Sequence, residues 1–327
     1  MNTAFITGAT GFVGSHLVDL LLDKGFKVKC LVRKTSNLRW LEGKDVEYCE
    51  GSLSDKESLK RAVVGCNYVF HVAGVLFGKS EEEFIKGNLS GTENIVEACI
   101  ESGQTFDRFL YVTSLLAAGA SDSETPLTEE DECKPFSCYG KSKYESEKYI
   151  QTKSDQLPIT IIRPGGVYGP RDYAMFEAFK ASKSGFNLVM GEKGKLGSII
   201  HVTDLVEGIY LAATSKTAEN QTYFLANSTH MRQEEFGELI IQAMGKNVKS
   251  IVLPNTLVSL VAIVSEFFGK LLNKPVVINR QKVMELSKKY LICSNEKAKR
   301  DFGFQDKIAL SDGIKSTLEW YQKHNWL

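Results

Sequence analysis

Tyr139 and Lys143 stand four residues apart in the run Tyr139-Gly140-Lys141-Ser142-Lys143. On a helix that spacing puts both side chains on one face, one turn removed. An ammonium beside a phenol favours the phenolate, so Lys143 is expected to lower the Tyr139 pKa from its reference of about 10. Tyr139 is then a candidate proton donor to, or acceptor from, a carbonyl or alcohol oxygen near neutral pH. Ser114 closes the strand-like run Arg108-Phe109-Leu110-Tyr111-Val112-Thr113-Ser114. Ligands of open α/β sheets bind at the carboxyl ends of strands, where the Ser114 hydroxyl would meet the same oxygen. A tyrosine and a lysine at this spacing also occur on ordinary solvated helices, as neighbouring Lys141 and Glu145 illustrate. The surrounding elements decide between the two readings.

The first of those elements is the loop Thr7-Gly8-Ala9-Thr10-Gly11-Phe12-Val13-Gly14, between the apolar run Ala4-Phe5-Ile6 and a helix-like stretch from Ser15 to Leu22. Strand, glycine turn and helix form the context a dinucleotide fingerprint requires. Gly8 permits the tight turn, Gly11 lets backbone N–H groups approach a pyrophosphate, and Gly14 lets helix and strand pack closely. The helix N-terminus adds unpaired donors and a favourable dipole. Thr7, Gly8, Thr10, Gly11, Phe12, Val13 and Gly14 are therefore candidate cofactor contacts. The second strand, Lys27–Val32, is followed by Arg33-Lys34-Thr35-Ser36. An acid there would hold the ribose 2′-hydroxyl of NAD, whereas cations accommodate a 2′-phosphate. Arg33 and Lys34 thus favour NADP(H) over NAD(H), with a solvated basic turn as the plain alternative.

Further strands are expected at Val46–Glu50, Asn67–Gly74 and Pro158–Arg163, with a last one at Thr222–Leu225. Ser54 or Asp55 is placed to cap a helix running through Leu59, and a long helix should contain Asn88. A helix over Val202–Ala213 should return to the sheet. Strands alternating with helical patterns indicate an α/β fold with a doubly wound parallel sheet, a Rossmann architecture. His71, at a strand end, reads as a packed core histidine.

The 327 residues are 43% hydrophobic, enough for one large domain or two fused ones. Forty basic residues balance forty acidic ones, so no global field recruits nucleic acid or an anionic membrane. The first strand begins too early to leave room for a signal peptide, and no stretch is long enough for a transmembrane helix. The seven cysteines are scattered and form no C-x-x-C pair, so no metal site is expected and inert thiols in a reducing cytoplasm are.

Taken in order, Gly8–Gly14, the strand ending in Ser114, Tyr139–Lys143, Arg163-Pro164-Gly165-Gly166-Val167-Tyr168-Gly169-Pro170-Arg171 and Ile199-Ile200-His201-Val202-Thr203-Asp204-Leu205 resemble the extended short-chain dehydrogenase/reductase superfamily. The resemblance covers about two-thirds of the chain. It implies an NAD(P)-dependent oxidoreductase with Ser114, Tyr139 and Lys143 as its catalytic set, Lys143 also binding the nicotinamide ribose. It places Ser52 and Leu53 at the adenine, although relatives commonly have Asp where Ser52 stands. Val72, Ala73 and Gly74 would line the inner ribose. Thr113, Pro164 and Val167 fall on further cofactor-binding positions. Asn88 resembles a family asparagine that fixes the active-site backbone, and a homodimer through helices including the Tyr139 segment is expected.

The branch is read from residues around the chemistry. Family dehydratases carry an Asp-Glu pair where this chain has Ser114-Leu115, and many epimerases have Asn at the position of Gly165 or Gly166. The apolar Leu115-Leu116-Ala117-Ala118 suits a ring-rich or aliphatic ketone, so the pattern looks closest to dihydroflavonol reductase-like and 3-beta-hydroxysteroid dehydrogenase-like members. A nucleotide-sugar 4-epimerase is the alternative, with Arg171, Arg232 and Arg280 available to grip a pyrophosphate. A non-catalytic redox sensor is the third reading.

Residues 1–163 and 201–226 are expected to form the dinucleotide-binding domain, and 164–200 with 227–327 a smaller, mainly helical substrate lobe. Within that lobe Leu257, Leu260, Val261, Val264, Phe267, Phe268 and Leu271 form a wide helical stripe. Core packing is the expected use, ahead of a substrate wall and of membrane contact. Ser294–Phe304 should be a capped helix stopped by Gly303.

Overall fold

The computed structural model describes residues 1–78, 80–271 and 280–327. Its centre is a parallel sheet built from β1 (Thr3–Thr7), β2 (Lys27–Val32), β3 (Val46–Glu50), β4 (Tyr68–His71), β5 (Arg108–Val112), β6 (Ile159–Pro164) and the strand Gln221–Leu225. Their spatial order is Gln221–Leu225, β6, β5, β4, β1, β2, β3. The chain therefore builds outwards from β1 through β2 to β3, then returns to lay β4 on the other flank of β1. That reversal is the topological switch at which open sheets bind ligands.

The centre of the sheet is buried on both faces, which is why β4, β5 and β6 read as nearly continuous apolar runs. Side chains alternate between two cores. Ala4, Ile6, Leu110 and Val112 pack beneath α1 (Phe12–Asp23), and Phe5, Phe109 and Tyr111 pack on the opposite side. The second core is closed by α2 (Lys56–Val63) and, beyond the short α3 (Glu81–Phe84), by α4 (Gly91–Glu101). After α5 (Leu115–Ala118) comes α6 (Cys138–Gln151), which carries Ile150 into that core. Each such fully buried side chain contributes about 2 kcal/mol of transfer free energy. Asp55 caps α2 by accepting from Ser58 N at 3.1 Å. His71 is a core histidine as expected: it shares bonds with Thr7 Oγ1 at 2.7 Å and Thr92 Oγ1 at 2.8 Å. Burial, then the charge of Lys143, hold its pKa down at about 3.

In the second half, α7 (Phe176–Ser182) is followed by α8 (Val202–Thr214), which packs on α1. Then come α9 (Gln233–Ala243), α10 (Asn255–Leu271), α11 (Arg280–Ser287), α12 (Glu296–Phe302) and α13 (Leu310–Lys323). Tyr168, Phe179, Phe236, Ile240, Leu318 and Tyr321 form a further core there. Gly303 ends α12 in the left-handed region at φ 68°, the expected glycine stop. Short strands interrupt the helices. Lys249–Leu253 pairs in parallel with Phe186–Met190, some 60 residues earlier, and no local turn announces such a pairing.

One expectation fails. In α10 the residues facing inward are Val258 and Ala262, while Leu257, Leu260, Val261 and Val264 are exposed, Leu260 by 57%. The small side chains allow close approach on the inner side, so the larger stripe is left outside rather than in the core. The side chains of Phe267, Phe268 and Leu271 lie outside the described residues, as does that of Arg280. Among the described residues no helix is long and apolar enough to cross a membrane.

Candidate active site

Four strand ends meet at the switch. β1 delivers the glycine turn, β4 the segment 72–75, β5 Thr113 and Ser114, and β6 ends in Pro164. At the turn, Gly8 has φ 76°, and a Cβ on it would stand 2.7 Å from Ala73 N. A Cβ on Gly14 would lie 2.1 Å from the Gly8 carbonyl oxygen. Both positions are closed to any larger residue, so the spacing read as a fingerprint is enforced by the packing of β1, α1 and β4. The α1 N-terminus starts at Gly11 without a side-chain cap. Its first-turn N–H groups, at half-buried Phe12 and Val13, thus have no capping side chain among the described residues.

Thr7 has a different use from the one expected. Its side chain is fully buried, and its hydroxyl joins His71 and accepts from Ala73 N at 3.3 Å. It fixes the exit of β4 from within the sheet.

Tyr139 and Lys143 lie on the first turns of α6, which Ser137 caps by accepting from Gly140 N at 3.1 Å. Lys143 is buried, with Nζ donating to Val112 O at 3.0 Å and standing 4.5 Å from the Tyr111 ring centre. A Cβ on Gly74 would lie 3.2 Å from that Nζ, so the glycine leaves the ammonium its room. Ser114 caps α5, its Oγ accepting from Leu116 N at 3.2 Å, and it stands near enough to the Tyr139 hydroxyl to favour the ionised form. The three residues are brought together as expected.

Their electrostatics differ from the sequence argument. Burial lifts the Tyr139 pKa above its ordinary value. Lys143 pulls it down, Tyr111 adds to the rise, and the Ser114 hydroxyl opposes it. Lys143 acts in the expected direction and is outweighed by desolvation. The ammonium is itself lowered by burial and supported by Tyr139 and then Glu147. Burial thus holds the phenol in its neutral, proton-donating form.

Asn88 is the brace. It sits in a π-helical turn over Ile85–Ser90, a distortion frequent at functional sites. Its Oδ1 accepts from Val75 N at 2.7 Å, and its Nδ2 donates to Val75 O at 3.2 Å and to Ser142 Oγ at 2.9 Å. It ties the segment after β4 to α6.

Around this centre, Val72 and Ala73 are half-buried and Gly74 exposed at the β4 end, and half-buried Val167 follows buried Pro164. The buried Thr113 hydroxyl has no hydrogen-bond partner among the described residues. An orphaned hydroxyl, an uncapped helix end and a cradle too tight for a Cβ all fit a bound dinucleotide. Arg33 is exposed, and Lys34 pairs loosely with Glu50 at 3.5 Å. Ser52 and Leu53 are half-buried at the β3 end, where Asn94 Nδ2 donates to Leu53 O at 2.7 Å.

Sequence reasoning missed three residues here. Gly140 lets α5 meet α6, since a Cβ on it would stand 2.3 Å from Leu116 O. Phe84 lays its ring edge-on to Tyr139, with centroids 6.2 Å apart. Glu285, from α11, is close enough for its charge to raise the Tyr139 pKa further. Only the glycine between Tyr139 and Lys141 was a visible signal. Of the apolar quartet after Ser114, Leu115, Ala117 and Ala118 are buried in the core, so Leu116 alone is left half-buried beside the chemistry; Phe84, packed on Tyr139, is itself buried. Gly140→Ala is expected to separate Ser114 from Tyr139 and lower kcat by about tenfold to a hundredfold, since misplacement by about 1 Å has that order of effect. Steady-state kinetics beside a melting curve checks it, and a fully active variant would contradict the spacing role.

The parallel fold and its glycine cradle define a class, enzymes that work through a nicotinamide dinucleotide. Residues 4–226 match the model of the NAD dependent epimerase/dehydratase family, and the chain belongs to it. Its relatives are oxidoreductases and epimerases. It is 27% identical over 328 residues to the ceramide reductase of Caulobacter vibrioides, covering 98% of this chain and 95% of that one. It is 27% identical over 357 residues to the 3-beta-hydroxysteroid dehydrogenase of Mycolicibacterium neoaurum, covering 98% and 92%. The UDP-glucose 4-epimerase of Thermotoga maritima, 22% identical, superposes with a TM-score of 0.81 over 99% of each chain and shares the fold.

Proposed function

We propose that the protein reduces a ketone, or oxidises the corresponding secondary alcohol, on a rather apolar small molecule, using NADP(H) in preference to NAD(H). The observation that carries this reading is the union of Ser114, Tyr139 and Lys143 at the carboxyl edge of the sheet. The nicotinamide, when bound, supplies or accepts the hydride. Tyr139 Oη donates a proton to the substrate oxygen, or takes one from it. Ser114 Oγ orients that oxygen, and Lys143 balances the charge on Tyr139 and reaches the ribose. Residues 1–163 and 201–226 hold the cofactor, while 164–200 and 227–327 cover the substrate. Leu116 offers it no hydrogen bonds, in keeping with relatives named for a ceramide and a hydroxysteroid. We place the protein in the cytoplasm as a homodimer.

The epimerase alternative loses support from Arg171. Its guanidinium is engaged by Ser15 Oγ at 3.1 Å and Asp19 Oδ2 at 2.8 Å, and is not free for a pyrophosphate. The redox-sensor reading leaves the assembled triad without a use.

Arg33→Ala tests the ribose assignment. It should weaken NADPH about tenfold or more, the order of a charge-assisted contact, and leave NADH nearly unchanged by titration calorimetry. Equal effects on both would contradict it. For the acid role, ketone reduction should stay level through neutral pH and fall only above about pH 10, where a tyrosine with a raised pKa ionises. Ser114→Ala removes a hydroxyl that favours the phenolate, so its alkaline limb should move to higher pH. A shift to lower pH would contradict that role.

A further inference from the structure

The loop between β2 and β3 starts at Arg33 and passes through Arg39 and Trp40. The chain has three tryptophans, Trp40, Trp320 and Trp326, and all three meet in one cluster. Trp40 lies 5.6 Å from Trp320 and 6.5 Å from Trp326, and Trp320 lies 5.1 Å from Trp326. Trp326 also stacks on Tyr173 at 4.4 Å and on Tyr321 at 5.5 Å. The Arg39 guanidinium is held among the rings, 4.2 Å from Trp40, 5.0 Å from Tyr173 and 5.5 Å from Trp326. Cation–π contacts of this kind strengthen as water is excluded.

A second tether starts in the same place. Arg171 stacks on Trp40 at 5.2 Å while bonding Ser15 and Asp19 of α1. It adopts φ 69°, a left-handed conformation that a non-glycine residue keeps only when its surroundings hold it there. The preceding Pro170 carbonyl meets His16 Nε2 at 2.9 Å. The second half of the chain thus grips both cofactor-facing elements of the first, α1 and the loop after β2. Neither grip touches the Ser114–Tyr139–Lys143 centre.

We propose that the Trp40–Trp320–Trp326 cluster with Arg39 is a latch that holds the loop after β2 ready for the adenosine end of the dinucleotide. Trp326, next to the last residue of the sequence, is then a positioning residue for cofactor affinity. The inference rests on the NADP(H) reading under Proposed function, which sets Arg33 at the cofactor's phosphorylated ribose. A loop already held in its bound shape pays less ordering entropy when the ligand arrives. The latch should therefore act on affinity and leave the chemical step alone.

The test uses half-molecules of the cofactor as probes, 2′,5′-ADP and 5′-AMP, with Trp326→Ala, Trp326→Phe and Arg33→Ala in the full chain. Trp326→Ala should weaken both NADPH and 2′,5′-ADP about tenfold. At saturating NADPH its kcat, and its KM for the ketone, should stay within about twofold of wild type. Trp326→Phe, which keeps a stacking ring, should recover most of the affinity. Because every tryptophan lies in the latch, 2′,5′-ADP should also change the wild-type emission.

Unchanged probe affinity in Trp326→Ala, with or without a lower melting temperature, overturns the latch, and so does a loss of kcat in step with affinity. The phosphate assignment fails separately. In that case Arg33→Ala changes neither probe and wild type binds 5′-AMP as well as 2′,5′-ADP, while Trp326→Ala still weakens both.

Discussion

Tyr139→Phe is expected to lower kcat for ketone reduction by about three orders of magnitude or more, the upper range for loss of a positioned acid or base. Its NADPH affinity should stay within about twofold of wild type. The ring is retained, so the edge-on contact with Phe84 and the packing of α6 survive. Only the oxygen that meets Ser114 and answers to Lys143 is lost. Rapid-mixing kinetics beside a cofactor titration separates the two quantities. A variant with near-normal turnover would remove Tyr139 from the mechanism.

The second large effect concerns stability. Glu147, one turn beyond Lys143, is buried and ion-paired with buried Arg163 of β6. Arg163 Nε donates to both carboxylate oxygens at 3.1 Å, and Nη2 to Oε2 at 2.6 Å and to Cys133 Sγ at 3.1 Å. Glu147→Leu would leave the guanidinium buried and unpaired, which costs about 3–5 kcal/mol. Urea unfolding should show that loss in the midpoint. The double variant Glu147→Leu with Arg163→Met should regain most of it, because a buried pair replaced as a unit is often nearly neutral. A single variant within about 1 kcal/mol of wild type would contradict this reading. Lys143 also loses a supporting charge in Glu147→Leu, so activity should fall further than stability alone requires.

The fold was legible because the central strands are short apolar runs bounded by turns and buried on both faces. The strand over Lys27–Val32 begins and ends at the residues the sequence indicates. Gly8 and Gly14 were legible for a stronger reason, since the structure leaves no space for a Cβ at either.

What escaped sequence reading was set by tertiary contacts. The sign of the Tyr139 shift turns on burial, which the spacing to Lys143 does not carry. Thr7 and Leu115 lie beside the chemistry in sequence, yet the sheet and its flanking core bury them. In α10 the apolar stripe is real, but the helix turns its small residues inward. The distant partners of Trp40 are Arg171, Trp320 and Trp326, separations that no local pattern encodes.

The central claim is net hydride exchange between the nicotinamide and a ketone. It is tested most directly with NADPH carrying deuterium at the transferable C4 position and a panel of apolar ketones, reading the label in the product by mass. Deuterium on the new carbinol carbon, matched one-to-one by oxidised nucleotide and lost in Tyr139→Phe, is the predicted result. Sugar-nucleotide stereochemistry inverted with no net oxidation of the nucleotide would contradict it and make the protein an epimerase.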